Sequence, residues 1–380
     1  MSGSYIMPLW GCLMSSDPVQ PRNLIPIAVI GDGCAGLSLA AKADLLPGYA
    51  LAIVAPRLER PQQDHIWGMW QMDWLKDTVP LARKIWYKWS IRSAETEVVM
   101  QAGKHPYLAL TRQTWLAHCK QRATLHGVAF HDEMAKLVDL PAQQVFDSRP
   151  PKQRPDMMLQ HFIGWHVRAA SGSFDDDTAI LMDFRCDQSR GMHFIYCLPF
   201  SDSEALVEST LFSPSLEPDT FYETAISKWL TGCAGLTDFE VTQTETGAIP
   251  LGLMARHDPN LQGIGGNGGA IRPSSGYAFS FIQKQIAKAV VQVAAGDQLR
   301  FTRPHKKIDL WMDRVFLSVL RHQPQRAPEI FTKMAARLTA DEFALFLSGE
   351  ADMTLRAKVV TAMPPLPFLR AALQPEPGAP

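Results

Sequence analysis

The stretch from Pro26 to Ala55 constrains the fold of this chain more than any other part of the sequence. It begins with the apolar run PIAVI, continues through a glycine-rich turn into a small apolar helix, and ends with a second apolar run, LAIVA. Apolar runs of this length are typical of strands that are buried on both faces of a parallel sheet. The stretch therefore predicts a βαβ unit of the length that a dinucleotide-binding fold uses.

The turn of this unit carries three glycines, Gly31, Gly33 and Gly36, at the G-x-G-x-x-G spacing. Gly31 allows the tight turn, Gly33 lets the backbone approach a pyrophosphate, and Gly36 lets the helix pack close to the strand. The free N–H groups at the start of the helix would then face the phosphates. We therefore predict that these glycines bind a cofactor. The alternative, a structural turn without a ligand, agrees less well with the two flanking apolar strands.

One part of the dinucleotide fingerprint is missing. An acidic residue is expected after the second strand, where it would bind the ribose hydroxyl groups. Val54, Ala55 and Pro56 occupy that position instead. Glu59 is nearby, but it lies beyond the proline.

A second glycine cluster, at residues 263–269, leads through the run RPSSG into a long helix predicted over Tyr277–Ala295. A loop this rich in glycine that opens onto a helix N-terminus is a second candidate for close approach of the backbone to a cofactor. We therefore add Gly265, Gly266 and Gly276 to the predicted cofactor-binding residues. The alternative is a flexible surface loop without a ligand.

Composition limits the classes of protein to which the chain can belong. Its 380 residues, 46% apolar and 20% charged, suffice for about two domains with a sizeable core. The net charge of −1 gives no reason to expect a nucleic-acid partner. No apolar run is long enough to span a bilayer. The six cysteines are scattered without a C-x-x-C pair, so we expect no metal site and a reducing cytosol.

The texture of the sequence changes from Phe162 onward. Four short runs rich in β-branched and aromatic residues are separated by turn residues; they are Phe162–Val167, Ala179–Phe184, Phe194–Leu198 and Ala205–Phe212. Runs of this composition predict an antiparallel sheet in a second domain. From about residue 301 the pattern is that of amphipathic helices, so we predict a helical region at the C-terminal end.

Three tryptophans, Trp67, Trp70 and Trp74, follow the first unit at a helix-like spacing. Such an aromatic stripe most often packs in a protein core. So many tryptophans in a short segment also suit the wall of a large apolar pocket. The sequence alone does not choose between these two interpretations.

Glu208 is a carboxylate in an apolar strand pattern. Strict alternation along Ala205–Phe212 places Leu206, Glu208 and Thr210 on one face of the strand. Burial of that face would desolvate the carboxyl group, raise its pKa and keep its proton available near neutral pH. If the face meets solvent instead, Glu208 is an ordinary exposed acid, and alternation does not distinguish the two positions.

Several segments, taken in order, resemble the bacterial lycopene β-cyclase family. The resemblance extends from about Ile27 to Leu373, and the joint order of the segments is specific although each segment alone is modest. The segments are DSR (147–149), FIGW (162–165), LMDFR (181–185), FIYCLP (194–199), LVEST (206–210), ETGAIP (245–250), RPSSGY (272–277) and WMD (311–313).

The resemblance implies an activity, cofactors and site residues. Members of this family bind FAD noncovalently and use its reduced form, supplied through NAD(P)H, without net redox change. They close the ψ-ends of lycopene into β-rings and form β-carotene through γ-carotene. For this chain the resemblance implies that Glu208 is the catalytic acid/base residue and that Arg112 binds the cofactor together with the glycines. It also implies that His65 and Trp67 bind the substrate.

These observations together predict an α/β fold with a Rossmann-like, three-layer FAD-binding domain, an antiparallel β-sheet substrate domain and a C-terminal helical region. The predicted division is a disordered tail at 1–23, FAD-binding segments at 24–60, 105–150 and 245–300, substrate-domain segments at 61–104 and 151–244, and helices at 301–380. Because the carotenoid substrate dissolves in membranes, we expect a cytoplasmic protein that associates peripherally with the inner membrane.

The chain departs from the family pattern at three places. The ribose acid is missing, QDHIW (63–67) replaces a more glycine-rich segment, and Ser209 stands where a second acid is common. Two other functions therefore remain to be tested. One is a flavin-dependent oxidoreductase, a reductase or monooxygenase, that acts on an isoprenoid or aromatic substrate, because fold does not settle function. The other is a cofactor-binding protein that has lost its activity.

Overall fold

The computed structural model describes residues 24–56, 64–134 and 136–373; the predicted tail at 1–23 and Glu59 lie outside the described residues. The strands in this part of the chain are β1 (Ile25–Ile30), β2 (Tyr49–Val54), β3 (Ile66–Trp70), β4 (Lys84–Trp86), β5 (Lys88–Arg92), β6 (Glu97–Gln101), β7 (Tyr107–Thr111), β8 (Ala129–His131), β9 (Gln144–Asp147), β10 (Met158–Ala169), β11 (Thr178–Asp183), β12 (Met192–Pro199), β13 (Glu204–Ser213), β14 (Phe239–Leu251) and β15 (Gln262–Gly263). The α-helices are α1 (Cys34–Ala40), α2 (Arg112–Leu125), α3 (Lys136–Asp139), α4 (Asp219–Gly232), α5 (Phe279–Ala294), α6 (Lys307–His322), α7 (Ala327–Arg337), α8 (Ala340–Leu347), α9 (Met353–Ala362) and α10 (Pro365–Leu373).

The predicted βαβ unit forms the centre of a five-stranded parallel sheet. The strand order is β8–β2–β1–β9–β15, and β1 pairs in parallel with β2 on one side and with β9 on the other. Ile27, Val29 and Ile53 are buried in a core with side chains of α1 and α5. Numbered within the sheet, this is the 3-2-1-4-5 order of dinucleotide-binding folds. The predicted α/β fold class is therefore confirmed.

The four strand runs predicted after Phe162 lie in a seven-stranded sheet. Its order is β14–β10–β13–β12–β11–β5–β6, and its pairs are antiparallel except for β5 with β11. Successive side chains alternate between the two faces. On one face Ile163 and Val207 pack against Ile226 of α4. On the other face Phe162 and Glu208 line a cavity.

The tryptophan segment is a strand and not a helix. Trp67 and Trp70 lie on β3, which pairs with β7 in a three-stranded sheet, and Trp74 lies in a 3₁₀ segment, Asp73–Leu81. Met69 and Trp70 are both buried although they point to opposite faces of β3. Because protein covers both faces of this short strand, its apolar residues need not alternate, and the helix-like spacing does not describe a helix.

At two places, strand pairing joins segments that the predicted division assigns to different domains. β7 pairs with β3 and β4, although the predicted division assigns residues 107–111 to the FAD-binding domain. β14 continues the seven-stranded sheet through Leu251, although residues from 245 onward are assigned to that same domain. Both strands find partners far away in the sequence, which local patterns do not reveal. The division into domains stays a prediction.

The predicted C-terminal helical region contains α6 to α10. α8 begins with a capping box, in which the side chains of Thr339 and Glu342 each bond the other residue's backbone N–H. Two buried arginine–aspartate pairs hold α6 in place; they are Arg356–Asp309 and Arg272–Asp313, each with an N–O distance of 2.7 Å. Among the described residues, every helix is too short or too polar to traverse a bilayer.

Candidate functional site

A large apolar cavity lies between the seven-stranded sheet and the C-terminal helices. Its volume is ≈ 640 Å³, and its walls come from β3, β10, β12 and β13, from residues 272–281, and from α6, α7, α9 and α10. Its aromatic and aliphatic lining includes Trp67, Trp70, Phe162, Leu181, Phe194, Phe212, Phe279, Phe316, Phe331 and Phe346. A cavity with this lining suits an apolar ligand that a few polar groups orient.

Glu208 lines this cavity from β13. The residue is 9% exposed, so the face that alternation left undecided is the buried one. The Thr210 hydroxyl group donates a hydrogen bond to Glu208 Oε1. Burial, and after it the charge of Glu245, raises the pKa of Glu208 to about 8. At neutral pH this carboxyl group therefore keeps its proton within apolar surroundings.

A second buried carboxylate, Glu245, lies two strands away. Gly164 of β10 pairs with Glu208 of β13 on one side and with Glu245 of β14 on the other. A Cβ atom at Gly164 would lie 3.2 Å from Glu245 Cγ, so glycine leaves room for the two acids to flank the strand. Glu245 is 1% exposed. Its Oε2 accepts a hydrogen bond from the Ile66 N–H at 3.1 Å and lies 3.6 Å from His65 Nδ1.

The sequence patterns do not single out Glu245. Its segment, ETGAIP, is one of those that carry the family resemblance. The acid at the start of that segment was the only signal in the sequence that could have pointed to Glu245 as a functional residue. Its position beside Glu208 follows from the pairing of β14 with β10. That pairing joins strands separated by β11, β12, β13 and α4, so no local pattern predicts it.

Three tyrosines line the cavity close to the carboxylates. The hydroxyl oxygens of Tyr107 and Tyr196 are 2.9 Å apart, and Tyr196 pairs with Glu208 in the register of β12 and β13. A Cβ atom at Gly68 would overlap both hydroxyl groups, so glycine makes room for them. Burial raises the pKa of Tyr277 to about 12 and that of Tyr107 and Tyr196 well above the ordinary tyrosine value. All three side chains are therefore uncharged at neutral pH.

The predicted substrate residues His65 and Trp67 both line the cavity. The Trp67 ring stacks on the Phe279 ring, with centroids 4.8 Å apart and an interplanar angle of 30°. His65 Nδ1 is buried without a hydrogen-bond partner in the described part of the chain. Stacked aromatic faces in an apolar cavity suit a conjugated ligand or a cationic one.

The three predicted dinucleotide glycines lie together at the turn between β1 and α1. Gly31 has a φ angle of +100°, which side-chain-bearing residues rarely adopt. A Cβ atom at Gly36 would overlap the Gly31 carbonyl oxygen, so α1 packs closely against the turn. In the described part of the chain, no heavy atom other than those of the adjacent residues lies within 4 Å of a Cβ atom built on Gly33. The N-terminal end of α1 is therefore accessible to a ligand.

The second glycine loop packs against α1. Gly265 has a φ angle of +65°, and a Cβ atom there would overlap the Ala35 side chain. Gly266 follows directly, and Gly276, with a φ angle of +67°, lines the cavity. The loop and the segment after it therefore run from the start of α1 to the cavity wall and join the two predicted sites.

Arg112 is the first residue of α2. Its backbone N–H donates to the His65 carbonyl oxygen at 2.9 Å. Burial raises the pKa of the Cys34 thiol, at the start of α1, to about 12, and the positive charge of Arg112 acts in the opposite direction. The charge of Arg112 therefore reaches the start of α1.

The end of β2 lacks the acid that a dinucleotide fold uses to bind the ribose. The Ala55 N–H donates to the His131 carbonyl oxygen at 2.9 Å, and residues 54–56 offer no ribose-binding acid.

The fold belongs to a class that includes flavin-dependent enzymes. A geranylgeranyl bacteriochlorophyll reductase-like protein from Thermoplasma acidophilum matches with a TM-score of 0.55 at 12% identity, over 91% of this chain and 95% of its own. A flavin-dependent halogenase from Xanthomonas campestris gives 0.53 at 9% identity, over 92% and 83%. A flavin-dependent brominase gives 0.51 at 13% identity, over 88% and 92%. This chain therefore has the Rossmann-like fold of that class.

The family follows from the sequence. The chain belongs to the lycopene cyclase protein family, whose model matches residues 26–373. A lycopene beta-cyclase from Pantoea ananas is 22% identical, over 86% of this chain and 95% of that protein. A lycopene beta-cyclase from a Paracoccus species is 27% identical, over 60% of this chain and 62% of that protein. The resemblance predicted from the ordered segments is confirmed, and the chain is an enzyme.

Proposed function

We propose that this enzyme closes the ψ-ends of lycopene into β-rings and yields β-carotene through γ-carotene. The observation that carries the proposal is Glu208, a carboxyl group whose pKa of about 8 leaves it protonated at neutral pH. It lines an apolar cavity of ≈ 640 Å³. An apolar hydrocarbon can be cyclised by a proton only where a donor is present and water is excluded.

The proposed reaction delivers one proton and removes another. Protonation of the terminal C1=C2 bond creates a tertiary cation at C1. The C5=C6 π-bond attacks this cation and closes the ring, and loss of the C6 proton leaves the β-ring double bond. Atoms and electrons balance without net oxidation or reduction. The cation is stabilised by negative charge and by aromatic faces in a cavity of low dielectric constant.

The residues that line the cavity divide this work. Glu208 donates the first proton, and its carboxylate then carries negative charge next to the cation and can accept the second proton. Burial raises the pKa of Glu208, and the negative charge of Glu245 raises it further, so Glu208 is protonated beforehand. Trp67 presents a ring face to the substrate, and the Tyr107–Tyr196 hydroxyl pair stays protonated beside the acid.

The proposal includes noncovalently bound FAD, which fits the residues that are present. Gly33 leaves the start of α1 accessible, Arg112 brings positive charge to the same region, and Gly265, Gly266 and Gly276 connect that region with the cavity. When bound in its reduced form, generated with NAD(P)H, the flavin supplies negative charge without net redox change. The glycine turn and the second glycine loop hold it, and the cavity walls keep water from the reacting carbons.

The substrate also implies a location. Lycopene is a hydrocarbon that dissolves in bilayers rather than in water. We therefore place the enzyme in the cytoplasm, associated peripherally with the inner membrane from which the cavity takes its substrate.

Expression in a bacterial host that accumulates lycopene tests the proposal. The wild-type chain should turn pink cells orange, and chromatography of the pigments should show β-carotene. Glu208→Gln should keep the flavin and abolish cyclisation. Glu204→Gln is the matched control, because Glu204 lies on the same strand with a side chain 39% exposed; it should cyclise at the wild-type rate.

The other outcomes identify the alternatives. Cyclisation at the wild-type rate by Glu208→Gln would mean that another group is the acid. Consumption of NAD(P)H in proportion to product would identify a flavin-dependent oxidoreductase that acts on an isoprenoid or aromatic substrate. Neither bound flavin nor a change of colour in the wild type would indicate a protein that has lost its activity.

A further inference from the structure

Helix α10 exposes a row of leucines. Leu366, Leu369 and Leu373 are 66%, 59% and 85% exposed, and their spacing of three and four residues places them on one side of the helix. The other side of α10 is held by Ala371, which is buried in a cluster with Val315 of α6. A soluble surface rarely exposes leucines in such a row without a function.

The leucine row is continuous with the apolar cavity. Leu369 of α10, Val360 of α9 and Trp311 of α6 all line the cavity. The same residues are 59%, 56% and 44% exposed to solvent. They therefore form a rim at which the cavity meets the surface, and together with Leu366 and Leu373 they make up what we term the docking face.

On two of the helices that form the docking face, α6 and α10, the exposed charges are positive. Both acids of α6 are buried in pairs with arginines, Asp309 with Arg356 and Asp313 with Arg272. The exposed charges on α6 and α10 are those of Lys307, Arg321 and Arg370, and α10 contains no acidic residue. Exposed leucines and a tryptophan bordered by cations match the boundary between headgroups and acyl chains in an anionic bilayer.

We propose that the docking face inserts into the surface of an anionic phospholipid bilayer and that the substrate passes between its residues from the acyl chains into the cavity. The entry of substrate rests on the proposed function, since only a membrane-dissolved hydrocarbon needs such a route. The insertion itself rests on the exposed leucines, on the continuity with the cavity and on the positive border. A second copy of the chain is the other possible occupant of this face.

Sedimentation with vesicles tests the insertion. The full-length protein is mixed with vesicles of phosphatidylglycerol and phosphatidylethanolamine, or of phosphatidylcholine alone. The wild type should bind the anionic vesicles more tightly. The double variant Leu366→Gln/Leu373→Gln, whose two sites lie outside the cavity lining, should bind them about tenfold to a hundredfold more weakly, because each leucine loses a large part of its transfer free energy. Leu125→Gln/Val291→Gln, at sites 75% and 68% exposed elsewhere, is the matched control and should bind as the wild type does.

A second variant separates charge from apolar contact. Arg370→Glu should weaken binding to the anionic vesicles and leave binding to phosphatidylcholine unchanged. Equal vesicle binding by the wild type and the Leu366→Gln/Leu373→Gln variant would overturn the proposal. The proposal would also be overturned if the wild type bound no vesicles but formed a dimer in light scattering, and if the double variant abolished that dimer.

Turnover assays keep this proposal distinct from the proposed function. With lycopene supplied in detergent micelles, the double variant should cyclise as fast as the wild type, whereas with lycopene in vesicles it should be about tenfold slower or more. If the wild type does not cyclise lycopene even in micelles, the proposed function fails while the sedimentation result still decides on insertion.

Discussion

Replacement of Glu245 by glutamine tests how the buried acid is kept protonated. Glutamine has nearly the same shape and retains an oxygen that can accept the Ile66 hydrogen bond, so the principal change is the loss of one negative charge. That charge is the second cause, after burial, of the raised pKa of Glu208. We therefore expect Glu245→Gln to lower the pKa of Glu208 from its value of about 8.

The size of the shift follows from the sheet. Glu208 and Glu245 pair with the same residue, Gly164, from opposite sides, so their backbones are two strand spacings, or about 10 Å, apart. At an effective dielectric constant of about 20, two charges at this distance repel by about 1.7 kcal/mol, which corresponds to about one pKa unit. The pKa of Glu208 in the variant should therefore lie about one unit lower, near pH 7.

The assay is the pH profile of kcat/KM for lycopene in micelles, with the flavin kept reduced. The proposed reaction requires protonated Glu208, so activity should fall as the pH rises through the pKa of Glu208. Lowering that pKa by about one unit should reduce kcat/KM about fivefold at pH 8 and change it little at pH 6. Glu240→Gln, an exposed acid on the same strand with a side chain 68% exposed, should leave the profile unchanged. If kcat/KM falls at the same alkaline pH in Glu245→Gln as in the wild type, the charge of Glu245 does not raise the pKa of Glu208, and the prediction is refuted.

Two further predictions concern the glycine turn and the buried arginine. Gly33→Val should fold normally, because among the described residues only the adjacent ones come within 4 Å of the new Cβ, but should lose most of its flavin absorbance after purification. Gly36→Val is the contrasting variant and should fail to fold, because its Cβ would overlap the Gly31 carbonyl oxygen. Full flavin occupancy in Gly33→Val would contradict the proposed flavin site at the glycine turn. Arg272→Met should lower the free energy of unfolding by about 3–5 kcal/mol in urea titrations, because it leaves Asp313 buried without its partner. A loss below about 1 kcal/mol would show that the pair is not needed.

The nucleotide-binding half of the fold can be read from the sequence because its signal is local. The strand, the turn with Gly31, Gly33 and Gly36, and the second strand lie within one short stretch, and Gly31 and Gly36 each have a separate steric reason. The runs of β-branched and aromatic residues after Phe162 predict the second sheet, and the family resemblance adds the predicted role of Glu208. Alternation alone could place Glu208 on a face of β13 but could not say which face α4 covers.

The rest of the site depends on contacts between distant segments. Glu245 acts on Glu208 only because β10 lies between β14 and β13, and this order follows from packing of the whole sheet. Trp67 and Trp70 lie on a strand whose partner, β7, comes after three intervening strands. The rim of the cavity likewise requires α6, α9 and α10 to meet. Periodicity within a segment carries no information about these pairings.

Deuterium incorporation tests the central claim most directly. Lycopene is cyclised in D₂O, where the exchangeable carboxyl proton of Glu208 is replaced by deuterium, and the product is examined by mass spectrometry. The account predicts one deuterium per β-ring in the wild-type product and no ring formation by Glu208→Gln under the same conditions. A cyclised product without deuterium, or labelled product formed at the wild-type rate by Glu208→Gln, would contradict it.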